Sequence, residues 1–150
     1  MKVFLGADHR GFELKEKLKK YIAELDYGVE DYGAFLHDKN DDYPDFARKV
    51  AESVANDPER SRGVLVCGSG VGVAIAANKI NDIRAGTAIN AEQIKDSVSD
   101  EDTNILAISA DYISEDQAKK IAKSFLETKF SGEERHIRRI NKIKKLEKNG

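Results

Sequence analysis

The hydrophobic pattern divides the chain into two kinds of segment that alternate from one end to the other. Short runs rich in Val, Ile and Leu predict buried β-strands, and longer segments with an apolar residue at every third or fourth position predict amphipathic helices. We predict strands at residues 2–6, 29–32, 64–66, 83–89 and 104–109. We predict helices at residues 12–25, 43–55, 73–78, 90–99, 114–130 and 133–148.

This alternation determines the predicted fold class. Strands that alternate with helices need right-handed crossovers, so we expect an α/β fold with a mostly parallel sheet covered by helices on both faces. The charged residues of the first helix, Lys15 among them, are expected to face solvent. Ser114 and Gln117 have the spacing of a capping box and predict a helix start.

The last predicted helix has only a narrow apolar stripe, and no strand follows it. The stripe consists of Ile137, Ile140, Ile143 and Leu146. The helix can pack on its own domain or reach toward a partner subunit. We favour the partner subunit, because a helix that follows the last strand lies at the periphery of the fold.

The composition fits one soluble domain spanning residues 1–150. Charged residues make up 35% and apolar residues 40% of the chain, and the formal net charge is −2, so nucleic acid is not an expected partner. No apolar run approaches the ~20 residues of a membrane span, and the first apolar run is too short for a signal peptide. A single cysteine excludes an internal disulfide and a cysteine-based metal cluster. We expect a cytoplasmic enzyme or binding protein.

The central strand leads into a glycine-rich segment. We name residues 67–72 the cysteine loop; it reads Cys67, Gly68, Ser69, Gly70, Val71 and Gly72. Glycine lets backbone N–H groups approach a ligand closely, and the start of a helix has free N–H groups and partial positive charge. A strand, a glycine loop and a helix in this order predict a site for an anion or a developing oxyanion.

Two known glycine motifs do not fit this loop. No Gly-Lys-Ser/Thr closes it as in the Walker A motif, and Val73 stands where the dinucleotide motif G-x-G-x-x-G requires glycine. A cysteine reacts as its thiolate, which the positive end of a helix favours. We therefore interpret Cys67 as a reactive group. The alternatives are a tight turn without a ligand and a cysteine that is a small buried core residue.

Polar side chains also follow the first strand and open the last helix. Asp8 and His9 stand at the carboxyl end of the first strand, where parallel sheets place chemistry, although Asp8 could also cap the following helix. Arg135 and Arg139 are i, i+4 neighbours that can converge on one phosphate. The alternative for these arginines is an ordinary solvated helix face.

Several motifs occur in order along nearly the whole chain. They are Gly6-Ala7-Asp8-His9-Arg10-Gly11-Phe12, Asp42-Tyr43-Pro44, the cysteine loop with Ala76-Ala77-Asn78-Lys79, Ile83-Arg84-Ala85, Asp102-Thr103-Asn104, and Arg135-His136 with Arg139. In this combination the chain resembles the type B ribose-5-phosphate isomerase and galactose-6-phosphate isomerase family. Each motif alone is a weak signal, and the combination is specific.

The resemblance implies a Rossmann-like three-layer α/β/α sandwich that works as a homodimer or a dimer of dimers, with active sites between subunits and no metal or other cofactor. It implies aldose–ketose isomerisation of a sugar phosphate through a cis-enediolate, most simply ribose 5-phosphate to ribulose 5-phosphate in the pentose phosphate pathway. Cys67 would move the proton between C1 and C2, and Ser69 with the loop backbone would form the oxyanion hole. The implied substrate-binding residues are Asp8, His9, Tyr43, Gly68, Gly70, Val71, Gly72, Asn104, Arg135 and Arg139, of which His9, Arg135 and Arg139 would hold the phosphate.

Three positions depart from this family's pattern. Asp100 and Glu101 stand where the ribose-phosphate enzymes usually have His-Asn, and Asp111 stands where they have a phosphate-binding Arg. In one explanation Asp100 takes over acid–base catalysis. In the others the substrate is a hexose 6-phosphate of galactose or allose type, a second kind of subunit completes the site, or the chain binds a sugar phosphate without catalysis.

Overall fold

The computed structural model describes residues 1–148. Its strands are β1 (Lys2–Ala7), β2 (Gly28–Asp31), β3 (Ser61–Cys67), β4 (Ala85–Thr87) and β5 (Ile105–Ser109). Its helices are α1 (Phe12–Glu24), α2 (Tyr43–Asn56), α3 (Val71–Ala77), α4 (Ala91–Glu101), α5 (Glu115–Glu127) and α6 (Glu134–Lys148). None of the helices within this part of the chain combines the length and apolar character that a bilayer crossing requires.

The five strands form one parallel sheet in the order β2-β1-β3-β5-β4. Alternate residues of β3 point to opposite faces, so Val64 and Val66 join one apolar cluster while Leu65 and Cys67 join another. The first cluster includes residues of α1, α4 and α5, and the second includes residues of α2 and α3. The predicted three-layer α/β/α sandwich is therefore confirmed.

The elements differ from their predicted bounds mainly around β4. The strand covers only Ala85–Thr87 rather than residues 83–89, because Ile83 closes a turn by donating its N–H to the Ile80 carbonyl. At the other end, the Ile89 N–H donates to the Gln93 side chain in the approach to α4. The predicted capping box at Ser114 is confirmed, since both of its reciprocal hydrogen bonds to Gln117 are present.

Helix α6 packs on α4 but leaves most of its apolar stripe uncovered. Ile140 is buried, whereas Ile137, Ile143 and Leu146 are exposed. Packing on the chain's own domain therefore accounts for only part of the stripe. The predicted contact of this helix with a partner subunit stays a prediction.

Lys15 is fully buried, so the prediction that it faces solvent was wrong. Its ammonium group donates to both carboxylate oxygens of Asp31 at 2.8 Å and to the Ala34 carbonyl at 2.6 Å. Asp31 also accepts hydrogen bonds from Lys19 and from the Gly33 N–H. These bonds join α1 to the end of β2 and to the start of the loop that leads to α2.

The Asp31 carboxylate makes the stability of the fold depend on pH. Burial acts to raise the pKa of Asp31, but hydrogen bonds from Lys15, Lys19 and Gly33 outweigh burial and hold this pKa below its usual value. A depressed folded-state pKa contributes stability that is present above the unfolded pKa. That stability is lost as the pH falls through the folded pKa.

We expect Asp31→Asn to lower the free energy of unfolding by about 3 kcal/mol at neutral pH, because it leaves the buried Lys15 with only the partly exposed Glu16 as its counter-ion. Urea unfolding at pH 7 and at about pH 3 measures this, and the difference from wild type should shrink at the lower pH. Glu30→Gln is the matched control, since Glu30 pairs with Lys2 at the surface. If the variant and wild type differed in free energy of unfolding by the same amount at both pH values, the Asp31 carboxylate would not be the source of this pH dependence.

Candidate active site

The first strand places Asp8 beside Cys67. Strands β1 and β3 are paired neighbours in which Ala7 lies opposite Val66, so the next residue of each strand lies at the same edge of the sheet. Asp8 is buried, and its Oδ1 accepts hydrogen bonds from the N–H groups of Arg10 and Gly11 at 3.0 Å. Gly11 must be glycine, because a Cβ there would overlap the Val66 backbone. The polar turn after β1 is thereby fixed against the end of β3.

The cysteine loop gives the Cys67 sulfur a backbone donor. The Gly70 N–H donates to Sγ at 3.2 Å, and a hydrogen bond of this kind stabilises negative charge on sulfur. Gly70 has φ +75°, and a side chain there would also press on the Ser109 backbone. Cys67 itself is only 4% exposed and belongs to an apolar cluster. Cys67 is therefore both a buried residue of the core and a thiol with a backbone donor that stabilises negative charge.

Ser69 of the cysteine loop and Tyr43 of α2 lie on the outer side of the loop. Ser69 is exposed, and its Oγ accepts the Val71 N–H at 3.2 Å. Tyr43, the first residue of α2, lays its ring on Gly72, where an added Cβ would lie 2.7 Å from the ring. The structure thus brings Asp8, Tyr43 and Ser69 together around the cysteine.

His9 is held by Asp41, which sequence reasoning did not single out. Its Nδ1 lies 2.7 Å from Asp41 Oδ1, and the same oxygen accepts the His9 backbone N–H at 3.1 Å. The other Asp41 oxygen is buried and has no partner among the described residues. An aspartate in a polar loop gives no sequence signal that it will reach a histidine 32 residues away.

Asp8, His9 and Asp41 are the residues best placed to share a cation. One donor atom from each lies within 4.8 Å of the others. However, Asp8 and Asp41 already accept the hydrogen bonds described above, so the cluster is largely satisfied by the protein itself. The expectation that no metal is needed stays a prediction.

Arg10 and Asp111 form a second pair at the same edge of the sheet. The Arg10 guanidinium pairs with the Asp111 carboxylate through Nη2. The Asp111 N–H donates to the Gly68 carbonyl at 3.0 Å, and a side chain at Gly68 would overlap the guanidinium. The sequence motif contained Arg10, but it gave Arg10 no role.

Asn104 lies at the opposite edge of the sheet, so within one protomer it does not join the cysteine. Its carbonyl accepts the Gly63 N–H, and Gly63 precedes Cys67 by four residues, or roughly 13 Å along a strand. Its side-chain amide accepts the Arg84 N–H and donates to the Asp82 carbonyl. Backbone groups therefore occupy the amide within one chain, and the expected substrate-binding role of Asn104 stays a prediction.

Asp100, Arg135 and Arg139 also lie at this opposite edge. Asp100 stands near the carboxyl end of α4, 3.6 Å from Nε2 of the buried His136. The Ser131 N–H donates to the Ser99 carbonyl, which ties the segment before α6 to the end of α4. Arg135 is exposed and pairs with Glu133, and Arg139 is exposed. One protomer thus has two separate groups of candidate residues.

Comparisons with known proteins place this arrangement in a family. The model of a family described as Ribose/Galactose Isomerase matches residues 3–143. A probable ribose-5-phosphate isomerase B of Mycoplasma genitalium is 36% identical over 97% of this chain and 95% of its own length. A putative sugar phosphate isomerase of Bacillus subtilis is 40% identical over 98% and 97%.

The fold is equally similar to solved structures. The crystal structure of ribose-5-phosphate isomerase B from Mycoplasma genitalium with bound ribulose-5-phosphate superposes with a TM-score of 0.95 at 35% identity, covering 99% of this chain and 97% of that one. The fold and these matches define an isomerase. The chain belongs to the ribose/galactose isomerase family, as the sequence motifs predicted.

Proposed function

We propose that the protein interconverts an aldose phosphate and a ketose phosphate, with ribose 5-phosphate and ribulose 5-phosphate as the preferred pair. The observation that supports this best is the Cys67 sulfur, which accepts the Gly70 N–H in a chain of this isomerase family. A thiolate at this point is a general base beside preorganised N–H groups, and those are the two elements that isomerisation through an enediolate requires.

The proposed reaction moves one proton between two carbons. The Cys67 thiolate removes the proton from C2 of the open-chain aldose, and the C2–H electrons form the C1–C2 double bond. The aldehyde oxygen becomes the negatively charged oxygen of a cis-enediolate. Return of the proton from sulfur to C1, with transfer of the O2 proton to O1, gives the ketose.

The cysteine loop supplies the stabilisation of that oxygen. The backbone from Gly68 to Gly72, together with the Ser69 hydroxyl, forms the proposed oxyanion hole. Its Gly70 N–H faces the sulfur and its Val71 N–H bonds to Ser69 Oγ. Such donors often make the largest catalytic contribution. Asp8 and Tyr43 lie around the loop and would hold the sugar hydroxyls or the ring oxygen. His9, held by Asp41, would face the phosphate.

We propose that a second copy of the chain completes the site, as a homodimer or a dimer of dimers. Asp100, Arg135 and Arg139 lie at the far edge of their own sheet, so they can meet a cysteine loop only on another protomer. Exposed apolar side chains support such an association. They are Val71 and Ile75 on α3, next to the cysteine loop, and Ile137, Ile143 and Leu146 on α6.

A different sugar is the second candidate, because Asp100 and Glu101 stand where the family pattern has His-Asn. Carboxylates that bind additional hydroxyls would favour a hexose 6-phosphate of galactose or allose type. A second subunit type, or a paralogue that binds without catalysis, are the remaining alternatives.

Asp100→Asn tests the acid–base role of this carboxylate. If Asp100 of a second protomer moves a proton during ring opening, turnover should fall by about 100-fold or more, because general acid–base groups contribute 10²–10⁴-fold. Steady-state kinetics on ribose 5-phosphate across pH 5–9 measures this. Turnover and a pH profile like those of wild type would remove Asp100 from the mechanism.

A substrate panel tests the function itself. We expect the purified protein to convert ribose 5-phosphate faster than allose 6-phosphate or galactose 6-phosphate, followed by NMR of the sugar protons. A preference for a hexose 6-phosphate would change the proposed substrate and leave the proposed mechanism unchanged. Binding of one of these sugars without conversion would favour the binding paralogue.

A further inference from the structure

Arg10, Asp111 and the cysteine loop form one connected unit. The guanidinium packs directly on Gly68, and its Nη2 pairs with the Asp111 carboxylate. The Asp111 N–H in turn donates to the Gly68 carbonyl, and Ser109 Oγ donates to that same carbonyl at 2.7 Å. Arg10 is therefore placed by the backbone that also positions Cys67.

We propose that Arg10 binds the phosphate group of the substrate, and that Asp111 holds the guanidinium in position for it. This inference rests on the proposed function. It adds one cation to the proposed phosphate site, and that cation comes from the same protomer as the reacting cysteine. Arg10 would be a substrate-binding residue, and Asp111 would be a positioning residue that acts through it.

The guanidinium has donors left for a ligand. Arginine presents five N–H donors in a planar fork, and the pair with Asp111 uses only Nη2. The Arg10 side chain is 56% exposed, so a ligand in solution can reach it. A groove of about 220 Å³ lies beside the pair, and its charged lining residues are Arg10, Lys17, Glu13, Asp111 and Glu115.

The position of Arg10 beside the cysteine loop favours an anionic ligand, and the anionic group of the proposed substrate is its phosphate ester. Arg135 and Arg139 of the same protomer lie at the other edge of the sheet, so Arg10 is the arginine that contacts the cysteine loop. An exposed ion pair contributes only about 0–1 kcal/mol, so the pair with Asp111 does not exclude a stronger partner. A phosphate can take bidentate hydrogen bonds from the free edge of the guanidinium.

The alternative is that the pair only fastens the turn after β1 to the loop. Calorimetric titration of the full chain with inorganic phosphate and with ribose 5-phosphate separates the two. We expect Arg10→Ala to weaken both affinities by about 10- to 100-fold, the loss typical of a hydrogen-bonded charged group. The kcat should stay within about threefold of wild type while KM rises, the pattern of lost ground-state binding.

Three further variants keep the test independent of folding. Arg10→Lys keeps the charge without the fork and should recover part of the affinity, whereas Lys2→Ala, at a surface cation paired with Glu30 at the other end of β1, should leave it unchanged. Asp111→Ala should weaken phosphate binding in the wild-type background and have no further effect in Arg10→Ala, because a positioning residue acts only through its partner.

Wild-type affinity for phosphate in folded Arg10→Ala and Arg10→Lys would overturn the inference. An Asp111→Ala effect that persists fully in the Arg10→Ala background would also contradict it, since Asp111 would then act on the loop alone. Failure of the proposed function has a different signature. Wild type would then convert no sugar phosphate, while the calorimetry with inorganic phosphate would still report on Arg10.

Discussion

Cys67→Ala is expected to lower the turnover of the sugar phosphate by at least about 10³-fold, because it removes the proposed base of both proton transfers. Substrate binding should change little, since Asp8, Tyr43 and His9 keep their contacts. Steady-state kinetics with calorimetric binding measures both quantities. Circular dichroism confirms that the fold is kept, because a cysteine-to-alanine change in an apolar cluster creates only a small cavity.

Cys67→Ser is the matched control for packing. Serine has nearly the same shape and can still accept the Gly70 N–H, but a hydroxyl is far less acidic than a thiol, so almost none of it is ionised to act as the base. We expect it to be almost as inactive as the alanine variant. Turnover above about a tenth of wild type in Cys67→Ala would show that another group moves the proton.

A mixed oligomer should regain activity that neither parent has. The parents are Cys67→Ala, which lacks the base, and the double variant Arg135→Ala with Arg139→Ala, which lacks the cations of the far edge. When equal amounts of the two variants assemble at random, half of the dimers contain one chain of each. Each such hybrid has one intact site out of two, so we expect about a quarter of wild-type turnover after co-refolding. The result follows only if the two groups of residues meet across an interface.

The control is each parent refolded alone, which should stay inactive. Size-exclusion chromatography confirms that the mixture assembles as wild type does. A mixture with no more activity than its parents would contradict the shared site. The far-edge arginines would then lie outside the active site, or each active site would be built from a single protomer.

Much of the fold and one half of the site follow from local sequence signals. Buried strands that alternate with amphipathic helices define a parallel sheet, and the strands ending at Ala7 and Cys67 are neighbours in it. Residues that follow adjacent parallel strands meet at one edge, so Asp8 and the cysteine loop could be placed together from sequence.

The rest depends on contacts that cross the sequence. Asp41 reaches His9, and Lys15 reaches Asp31, through the path of the loops, which no local periodicity encodes. Asn104 reads as a polar residue at a strand entrance, but its amide is occupied by Arg84 and Asp82 backbone groups. Asp100 lies at the far edge because α4 ends just before β5 begins, and no local pattern encodes the second protomer that would bring it to a cysteine loop.

The most direct test of the central claim is NMR of the reaction in D₂O, starting from ribulose 5-phosphate with wild type and with Cys67→Ala. Proton transfer through an enediolate predicts deuterium at C1 of the ketose and at C2 of the ribose 5-phosphate, and predicts that Cys67→Ala incorporates none. Isomerisation by wild type over many turnovers with no deuterium in either sugar, or exchange that continues in Cys67→Ala, would contradict the account.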